Sequence, residues 1–254
     1  MKIIAITNQK GGVGKTTTTV NLGAALALKG KKVLVVDLDP QAHLTTSLGI
    51  KEHELENTIY EVFKRSITIN EALIDLRKDD RNLWLLPASL TFSVADTEFS
   101  AEAGREYLLK EALQELDQEF DYILIDCPPS LGLLTVNGFT AAEEIYIPLQ
   151  TEYLAMHGMK QLLQVYSVVK RRVNPDLRIT GIIGTMYDHR RKLNREVLEK
   201  VNEHFGDYLF ETMIRSNISL AEAPSYGQDI FTYKPDSAGA EDYASLADEV
   251  LKRS

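Results

Sequence analysis

Lys10-Gly11-Gly12-Val13-Gly14-Lys15-Thr16-Thr17 is the stretch from which the rest of the chain can be interpreted. The apolar run Ile3-Ile4-Ala5-Ile6 before it predicts a buried strand, and residues 18–28 after it have the pattern of a helix. A strand, a glycine-rich turn and a helix opening on Gly-Lys-Thr is the context of a phosphate-binding loop. The usual pattern has glycine at position 9, where this chain has Gln9, so the loop is a variant that adds Lys10 at its start.

The residue types of this loop are those that phosphate binding needs. Glycines let backbone N–H groups approach phosphate oxygens, and the following helix points its free N–H groups and positive dipole end at the same anion. We expect Lys15 to reach the β- and γ-phosphates of a nucleotide and the Thr16 hydroxyl to bind Mg²⁺. Lys10 is poorly placed to reach its own γ-phosphate, so it could serve a nucleotide in a facing subunit. The expected nucleotide-binding set is Lys10, Gly11, Gly12, Val13, Gly14, Lys15, Thr16 and Thr17. A glycine-rich turn with two surface lysines is the alternative.

Length and composition favour one large α/β domain covering residues 1–254. The formal charge of −9 argues against bulk attraction to nucleic acid, so any DNA binding requires a local basic patch. The single cysteine, Cys127, excludes a disulfide framework within the chain and fits a reducing compartment. The sequence enters a strand without the features of a signal peptide and has no apolar run near the roughly 18 residues that span a bilayer. These features predict a cytoplasmic protein without a membrane partner.

Strands alternate with helices along the chain, which predicts a three-layer, doubly wound, mostly parallel sheet with helices on both faces. Acidic residues follow two of the buried-type strands, as Asp37-Leu38-Asp39-Pro40-Gln41 and as Asp126-Cys127-Pro128-Pro129. Open α/β sheets bind ligands at the carboxyl ends of their strands. We therefore expect Asp39 to activate or position the attacking water, Asp37 to act through the outer shell of a metal ion, and Asp126 to hold Mg²⁺ through water. The alternative for Asp37-Leu38-Asp39-Pro40 is a turn that caps a helix.

The remaining elements are predicted from periodicity and turn residues. Further strands are expected at residues 83–87, 144–149, 178–187 and 208–214. Helices are expected at residues 58–63, 69–76, 102–120, 130–142 with Ser130 as a cap, 153–173 and 188–205. Residues 221–225 and 237–252 are expected to close the fold. Residues 77–81 are expected to form a solvated loop.

Residues 188–195 form the densest basic segment of the chain and open a predicted helix. Cations are unfavourable at a helix start, which favours a role other than stability. We expect Arg190, Arg191, Lys192 and Arg195 to contact DNA phosphates, with a solvated face as the alternative. Lys170, Arg171 and Arg172 end another predicted helix, where cations complement the helix dipole. Met186, Arg215 and Asn217 are predicted to line a nucleotide site, and Arg215 is also a candidate for DNA contact.

The chain resembles the ParA/Soj family of ATPases with a deviant Walker A motif, which are relatives of MinD and of the nitrogenase iron protein. The resemblance covers nearly the whole length and rests on the phosphate loop, residues 37–41, residues 126–129 and Leu220-Ala221-Glu222-Ala223-Pro224-Ser225. It implies an ATP- and Mg²⁺-dependent homodimer in which the residue matching Lys10 reaches the partner's nucleotide and the residue matching Asp39 supports hydrolysis.

The resemblance also implies a cycle. The ATP-bound dimer binds DNA without sequence preference, which would place the protein on the nucleoid. A ParB/Spo0J-type partner stimulates an otherwise weak ATPase and so releases the dimer, and chromosome or plasmid partitioning follows.

Three positions bear on the DNA surface implied by the family. A family arginine between the sixth strand and the next helix matches Arg190, whereas a second family arginine falls on Ser219. A Pro-Arg pair that usually precedes Asn217 is Arg215-Ser216 here. Arg191, Lys192, Arg195 and Arg215 are candidates for compensating these differences.

Other functions compete with partitioning. A nucleoid-tracking ATPase could position a cargo other than DNA, and a MinD-type ATPase would act on a membrane surface through a C-terminal amphipathic helix. In residues 243–254 the apolar side chains are interspersed with acidic ones, which favours docking onto the core. An ATP-dependent metabolic ligase is a further alternative. An iron-protein function is excluded because a shared cluster needs two cysteines per subunit.

Overall fold

The computed structural model describes residues 1–77, 81–151 and 155–253. The strands are β1 (Lys2–Ile6), β2 (Val33–Asp37), β3 (Ile74–Asp75), β4 (Leu83–Leu86), β5 (Tyr122–Asp126), β6 (Glu144–Gln150) and β7 (Arg178–Thr185). The helices are α1 (Lys15–Leu28), α2 (His43–Ser47), α3 (Ile59–Phe63), α4 (Ile69–Ala72), α5 (Ala95–Glu98), α6 (Leu108–Gln114), α7 (Leu133–Ala141), α8 (Ala155–Arg172), α9 (Lys192–Phe205), α10 (Ile218–Glu222), α11 (Ile230–Tyr233) and α12 (Ala238–Lys252).

The strands form one seven-stranded sheet in the order β3-β4-β2-β5-β1-β6-β7. All pairs are parallel except β3 with β4. Side chains alternate between the two faces: Ile3 and Ala5 pack with helices α3 to α9, whereas Ile4 and Ile6 pack with α1, α2 and α10 to α12. This three-layer architecture confirms the predicted fold class, and it brings the carboxyl ends of β1, β2 and β5 together.

The predicted strand at residues 208–214 is wrong. Only isolated bridges pair this segment with β7 and with Tyr187, because the backbone N–H groups of Glu211 and Thr212 donate to the Glu249 carboxylate, at 2.9 and 3.0 Å, instead of to a neighbouring strand. The sheet has seven strands because a short strand, β3, forms instead within the segment predicted to be a helix at residues 69–76. Helix α4 ends at Ala72, and β3 follows it.

Three other helices are shorter than predicted. The helix expected at residues 188–205 begins at Lys192, and contacts distant in sequence set the ends of the other two. The helix predicted at residues 102–120 ends early, at the end of α6. Beyond that end, the Asn70 side chain accepts a hydrogen bond from the Asp117 backbone N–H and donates to the Glu115 carbonyl. Helix α7 begins at Leu133, whose N–H donates to Asp96, so Ser130 is not its cap. The predicted positions Lys78, Asp79, Asp80 and Tyr153 lie outside the described residues.

Within the described part of the chain, no helix combines the length and the apolar character that crossing a bilayer requires. Helix α12 instead buries Tyr243, Leu246 and Val250 against the core. The predicted docking of the C-terminal helix is therefore confirmed.

Asn174 gives a test of how the helices around β6 and β7 are held. Its buried Nδ2 lies 2.9 Å from the Phe139 carbonyl oxygen and 2.7 Å from that of Ala142, at the end of α7. We expect Asn174→Ala to lower the free energy of unfolding by roughly 2 kcal/mol, because buried carbonyls lose their donor. Denaturant titration measures this, and the exposed Asn202→Ala on α9 should change stability by less than about 0.5 kcal/mol. Equal stability of the two variants would contradict the assignment.

Candidate functional site

The glycine-rich loop lies between β1 and α1 and has the backbone that its glycines permit. Gly12 and Gly14 adopt φ angles of 72° and 87°, in the left-handed region that glycine enters without strain. Gly14 precedes the first residue of α1, and the Val13 carbonyl accepts a hydrogen bond from the Thr185 hydroxyl at 2.8 Å. The loop is therefore fixed to the end of β7, with the first turn of α1 opening beneath it.

Two buried carboxylates face the start of α1. Asp37 and Asp126 are paired in the register of β2 and β5, and both are almost fully buried. The Thr16 hydroxyl donates to Asp126 Oδ2 at 2.6 Å, whereas Asp126 Oδ1 has no hydrogen-bond partner among the described residues. Asp37 accepts hydrogen bonds from the backbone and the hydroxyl of Thr45, at 2.8 and 2.7 Å.

Burial dominates the titration of both carboxylates. It raises the pKa of Asp126 to about 8, with repulsion from Asp37 adding to the rise and the Thr16 hydrogen bond opposing it. Burial likewise raises the pKa of Asp37 to about 7, against the hydrogen bonds from Thr45. A divalent cation beside this pair would supply the positive charge that these anions lack.

The donor set fits Mg²⁺ in particular. The described residues hold no group of three or more His, Cys, Asp or Glu side chains suited to a metal ion. Two carboxylates and the Thr16 hydroxyl still suffice, because Mg²⁺ in nucleotide sites takes one or two carboxylates and completes its shell with phosphate and water. The unpaired Oδ1 of Asp126 is available to such an ion or to its water.

Asp39 lies at the same carboxyl edge of the sheet. Its side chain is largely buried, and its Oδ1 accepts from the Gln41 backbone N–H at 3.0 Å. The Asp39 N–H donates to Asp37 Oδ1 at 3.2 Å, which fixes the turn that carries both residues. The predicted catalytic carboxylate is thus held next to the predicted metal ligands.

Lys10 leaves the loop toward the end of β6. Its Nζ lies 3.2 Å from Gln150 Oε1, and its backbone N–H donates to Asn8 Oδ1 at 3.0 Å. Asn8 is buried and also donates to the Pro148 carbonyl at 2.8 Å, so it fixes the backbone of Lys10 against β6. Asn8 and Gln150 are not in the predicted site. A buried polar side chain directly before the loop is the signal that points to Asn8.

A cleft of about 300 Å³ opens beside the loop. Gly14, Thr17, Met186, Arg215 and Asn217 are among its lining residues, so the structure brings the predicted nucleotide contacts together. The Asn217 side chain accepts from the Ser219 N–H at 2.8 Å and caps α10. The size and mixed lining of the cleft suit a planar heterocycle.

Arg215 is committed to partners inside the protein. Its guanidinium lies 2.6 Å from Asp242 Oδ1 and also pairs with Glu241, and these contacts raise its pKa. Its backbone N–H donates to Asp242 as well, at 2.8 Å. Arg215 therefore orders the rim of the cleft, and its charge is largely compensated.

The predicted DNA segment follows the carboxyl end of β7, where it borders a second cleft of about 580 Å³. Arg190 forms a two-pronged pair with Asp188, at 2.9 and 3.0 Å, which lowers the pKa of Asp188 to about 2. Lys192 lies 3.3 Å from Glu196. Arg195 is exposed and forms no salt bridge within the described residues, whereas Ser219 is buried.

Comparison with known proteins identifies the family. Residues 1–179 match the family described as AAA domain. Soj, the sporulation initiation inhibitor protein of Bacillus subtilis, is 48% identical over 252 residues, which cover 98% of each chain. The chromosome-partitioning ATPase Soj of Treponema pallidum is 46% identical over 99% of this chain and 98% of its own length. The chain belongs to the Soj/ParA family. The predicted resemblance is therefore confirmed over the full length of the protein.

A solved structure agrees with this assignment for the fold. Cobyrinic acid a,c-diamide synthase from Mycobacterium smegmatis superposes with a TM-score of 0.86 at 40% identity, covering 100% of this Soj/ParA-family chain and 95% of the other. Those crystals contain magnesium with ADP or with an ATP analogue.

The buried carboxylate pair predicts how stability depends on pH when metal and nucleotide are absent. A carboxyl whose pKa is higher in the folded than in the unfolded state stabilises the fold below its unfolded pKa of about 4, and this contribution is lost as the pH rises through about 8. Asn cannot ionise. In chelator, Asp126→Asn should therefore gain thermal stability relative to wild type between pH 5 and pH 8, by roughly 7 °C or more, because about 3 kcal/mol of linked stability is lost by the wild type over this range.

Thermal unfolding at the two pH values checks this. Asp188→Asn is the matched control: the Asp188 pKa is about 2, so this carboxylate is ionised at both pH values and its variant should show no such change. A difference between Asp126→Asn and wild type that is the same at pH 5 and pH 8 would contradict the assignment.

Proposed function

We propose that this protein is an ATPase that closes into a homodimer around ATP, binds DNA without sequence preference as that dimer, and is released when a ParB-type partner stimulates hydrolysis. This cycle would partition a chromosome or plasmid from the nucleoid. The observation that carries the proposal is the position of Lys10. It is held at the carboxyl edge of the sheet and turned out of its own loop toward Gln150.

The phosphate loop and the carboxylates have separable roles in hydrolysis. Lys15 and the N–H groups of the loop bind and orient the phosphates, and the Thr16 hydroxyl and Asp126 provide the Mg²⁺ site, with Asp37 behind them. When bound, Mg²⁺ neutralises charge on the β- and γ-phosphates. Asp39 orients the attacking water from the turn that it shares with Asp37. Met186 and Asn217 border the base.

Lys10 couples dimerisation to the γ-phosphate. Without that group, two Lys10 ammonium ions face each other across the approaching surfaces and oppose closure. With ATP, each Lys10 gains a charge-assisted partner in the opposite subunit. Closure also excludes water from the site, and a cation donated across an interface stabilises the charge of phosphoryl transfer.

Dimerisation also accounts for DNA binding by an acidic protein. One basic segment offers few contacts, and two copies side by side double them. Arg190, Arg191, Lys192 and Arg195 are the proposed contacts, with Arg215 at most a minor one because Asp242 and Glu241 compensate its charge. DNA affinity falls steeply with salt for each phosphate contact.

The synthase structures introduce ATP-dependent amidation of a metabolite as a second candidate. Release of ammonia from glutamine by a thiol needs an exposed, ionisable cysteine. Cys127 is buried and its thiol pKa is raised by burial, so it cannot fill that role. We therefore favour partitioning. A protein that positions a cargo other than DNA on the nucleoid would use the same cycle. The identity of the partner that co-purifies distinguishes that function from DNA partitioning.

Lys10→Ala tests the dimer. We expect the variant to bind a fluorescent ATP analogue with about wild-type affinity and to remain monomeric with ATP in sedimentation velocity, because the cross-subunit cation is missing. Lys32→Ala, which removes an exposed cation remote from the loop, should dimerise normally. Dimers of Lys10→Ala at wild-type nucleotide concentrations would refute the mechanism.

Retention on DNA tests the function itself. We expect binding with ATP to exceed binding with ADP or without nucleotide by at least about tenfold, and to weaken strongly between about 50 and 200 mM salt. Anionic vesicles should not retain the protein, because α12 packs its apolar side chains on the core. Equal retention on DNA with ATP, with ADP and without nucleotide would contradict the proposed cycle and would support only an ATPase activity.

A further inference from the structure

Helix α8 differs from the rest of this acidic protein in its charge. Its sequence, Ala155–Arg172, includes Lys160, Lys170, Arg171 and Arg172 and has no aspartate or glutamate. The chain as a whole has 37 acidic and 28 basic residues. Helix α1 also lacks acidic residues, but its one cation, Lys15, is buried, so α8 is distinguished by combining an acid-free sequence with exposed cations. Dipole complementarity accounts for cations in the last turn but not for Lys160 or for the absence of acidic residues.

The charged side chains of α8 lie on the solvent side. Lys160, Gln164, Ser167 and Arg171 are exposed and recur at helical spacing, so they form one stripe along the helix. Gln161, Val168 and Arg172 are also exposed and widen it. At a rise of about 1.5 Å per residue, the stripe extends about 16 Å from Lys160 to Arg171. That length corresponds to roughly five base pairs of duplex rise.

These cations are less compensated than three of the four in the predicted DNA segment. Arg190 and Arg191 pair with Asp188, and Lys192 pairs with Glu196, whereas Arg195 forms no salt bridge within the described residues. In contrast, Lys160, Arg171 and Arg172 form no salt bridge with any described residue. Lys170 donates to the hydroxyl of the neutral Tyr166 at 3.1 Å and forms no salt bridge within the described part of the chain. Arg178 is exposed at the start of β7, where its backbone N–H donates to the carbonyl of the exposed Glu143 at 3.0 Å.

Helices α8 and α9 face the same side of the molecule. Leu162 and Val169 of α8 and Val197 and Val201 of α9 all pack in the core cluster on one face of the sheet. The Asn194 side chain also donates to the Thr151 carbonyl, which links the start of α9 to the segment before α8. The outer surface of α8 and the basic start of α9, which carries Lys192 and Arg195, are therefore open to one extended polyanion, whereas Glu199 and Glu203 are exposed further along α9.

We infer that the exposed stripe of α8, formed by Lys160, Gln164, Ser167, Arg171 and Arg172, is a second surface for the phosphate backbone of double-stranded DNA. The inference rests on the proposed function and extends its DNA surface beyond residues 190–195. Unpaired cations alternate with amide and hydroxyl groups, which also bond phosphate oxygens, and no acidic side chain of the helix repels them. Recognition of this kind follows the backbone and carries no sequence preference.

The slope of DNA affinity against salt tests this surface. With ATP, Arg171→Gln/Arg172→Gln should reduce the slope of log affinity against log salt by about 2 for each protomer, because each phosphate contact contributes about 0.9. Affinity near 100 mM salt should fall at least tenfold, and basal ATPase activity should stay unchanged. Arg171→Lys/Arg172→Lys should retain most of the wild-type slope, because a phosphate contact needs the positive charge more than the two-pronged geometry of a guanidinium.

Lys64→Gln/Arg65→Gln is the matched control. It removes two adjacent exposed cations beyond α3, next to Glu98, Glu102 and Glu111, and changes the net charge equally. This variant should keep the wild-type slope. A reduced slope in both double variants would show a general charge effect and overturn the assignment.

Other outcomes separate the two proposals. Wild-type protein that is not retained on DNA with ATP would refute the proposed function. Nucleotide-dependent retention with an unchanged slope in Arg171→Gln/Arg172→Gln would refute the α8 surface alone. Binding of anionic vesicles that depends on Arg171 and Arg172 while DNA binding does not would assign the stripe to a lipid surface instead and overturn the DNA inference. A thermal midpoint for each variant confirms that it is folded at the assay temperature.

Discussion

The structure depends on two carboxylates that are buried side by side at the ends of adjacent strands. Parallel register forces Asp37 and Asp126 together, and burial denies them the solvent that would stabilise their charge. Buried charges are tolerated when they are paired or bind a cation. The Thr16 hydroxyl and the Thr45 donors satisfy some of their oxygens, but the described residues leave Asp126 Oδ1 unpaired. The fold thus maintains a site whose electrostatics are completed from outside the chain.

The same constraint links the catalytic role that we propose for the loop after β2 to its structural role. Asp37 bonds to the backbone of Asp39 and to α2 through Thr45, so a change in charge at the carboxylate pair reaches the turn that carries Asp39. On the other side of the sheet edge, Asn8 ties Lys10 to β6 through the Pro148 carbonyl. The two residues that we assign to hydrolysis and to dimerisation are therefore anchored by separate strands, which permits their roles to be separated by substitution.

The sequence was informative where local pattern determines structure. The phosphate loop, the buried strands β1, β2, β5 and β6, and the helix after the loop follow from periodicity and glycine spacing. It failed where a distant side chain competes with the backbone ladder. Glu249 takes the N–H groups of Glu211 and Thr212, Asn70 bonds the backbone beyond the end of α6, and Asp96 starts α7. The pairing of Arg215 with Asp242 is likewise visible only when α12 is folded onto the core.

Net charge illustrates the same limit at the scale of the whole molecule. Residues 51–121 contain 17 acidic and 8 basic residues, a difference equal to the full net charge of −9. These residues include β3 and β4 at one edge of the sheet, whereas the basic residues of α8 and α9 flank β7 at the other. Screening limits the interaction between exposed charges to about 8–10 Å at moderate ionic strength. Because a polyanion at the β7 edge lies beyond that range from most of the acidic residues, the overall charge says little about DNA binding, and the strand order decides which charges a duplex meets.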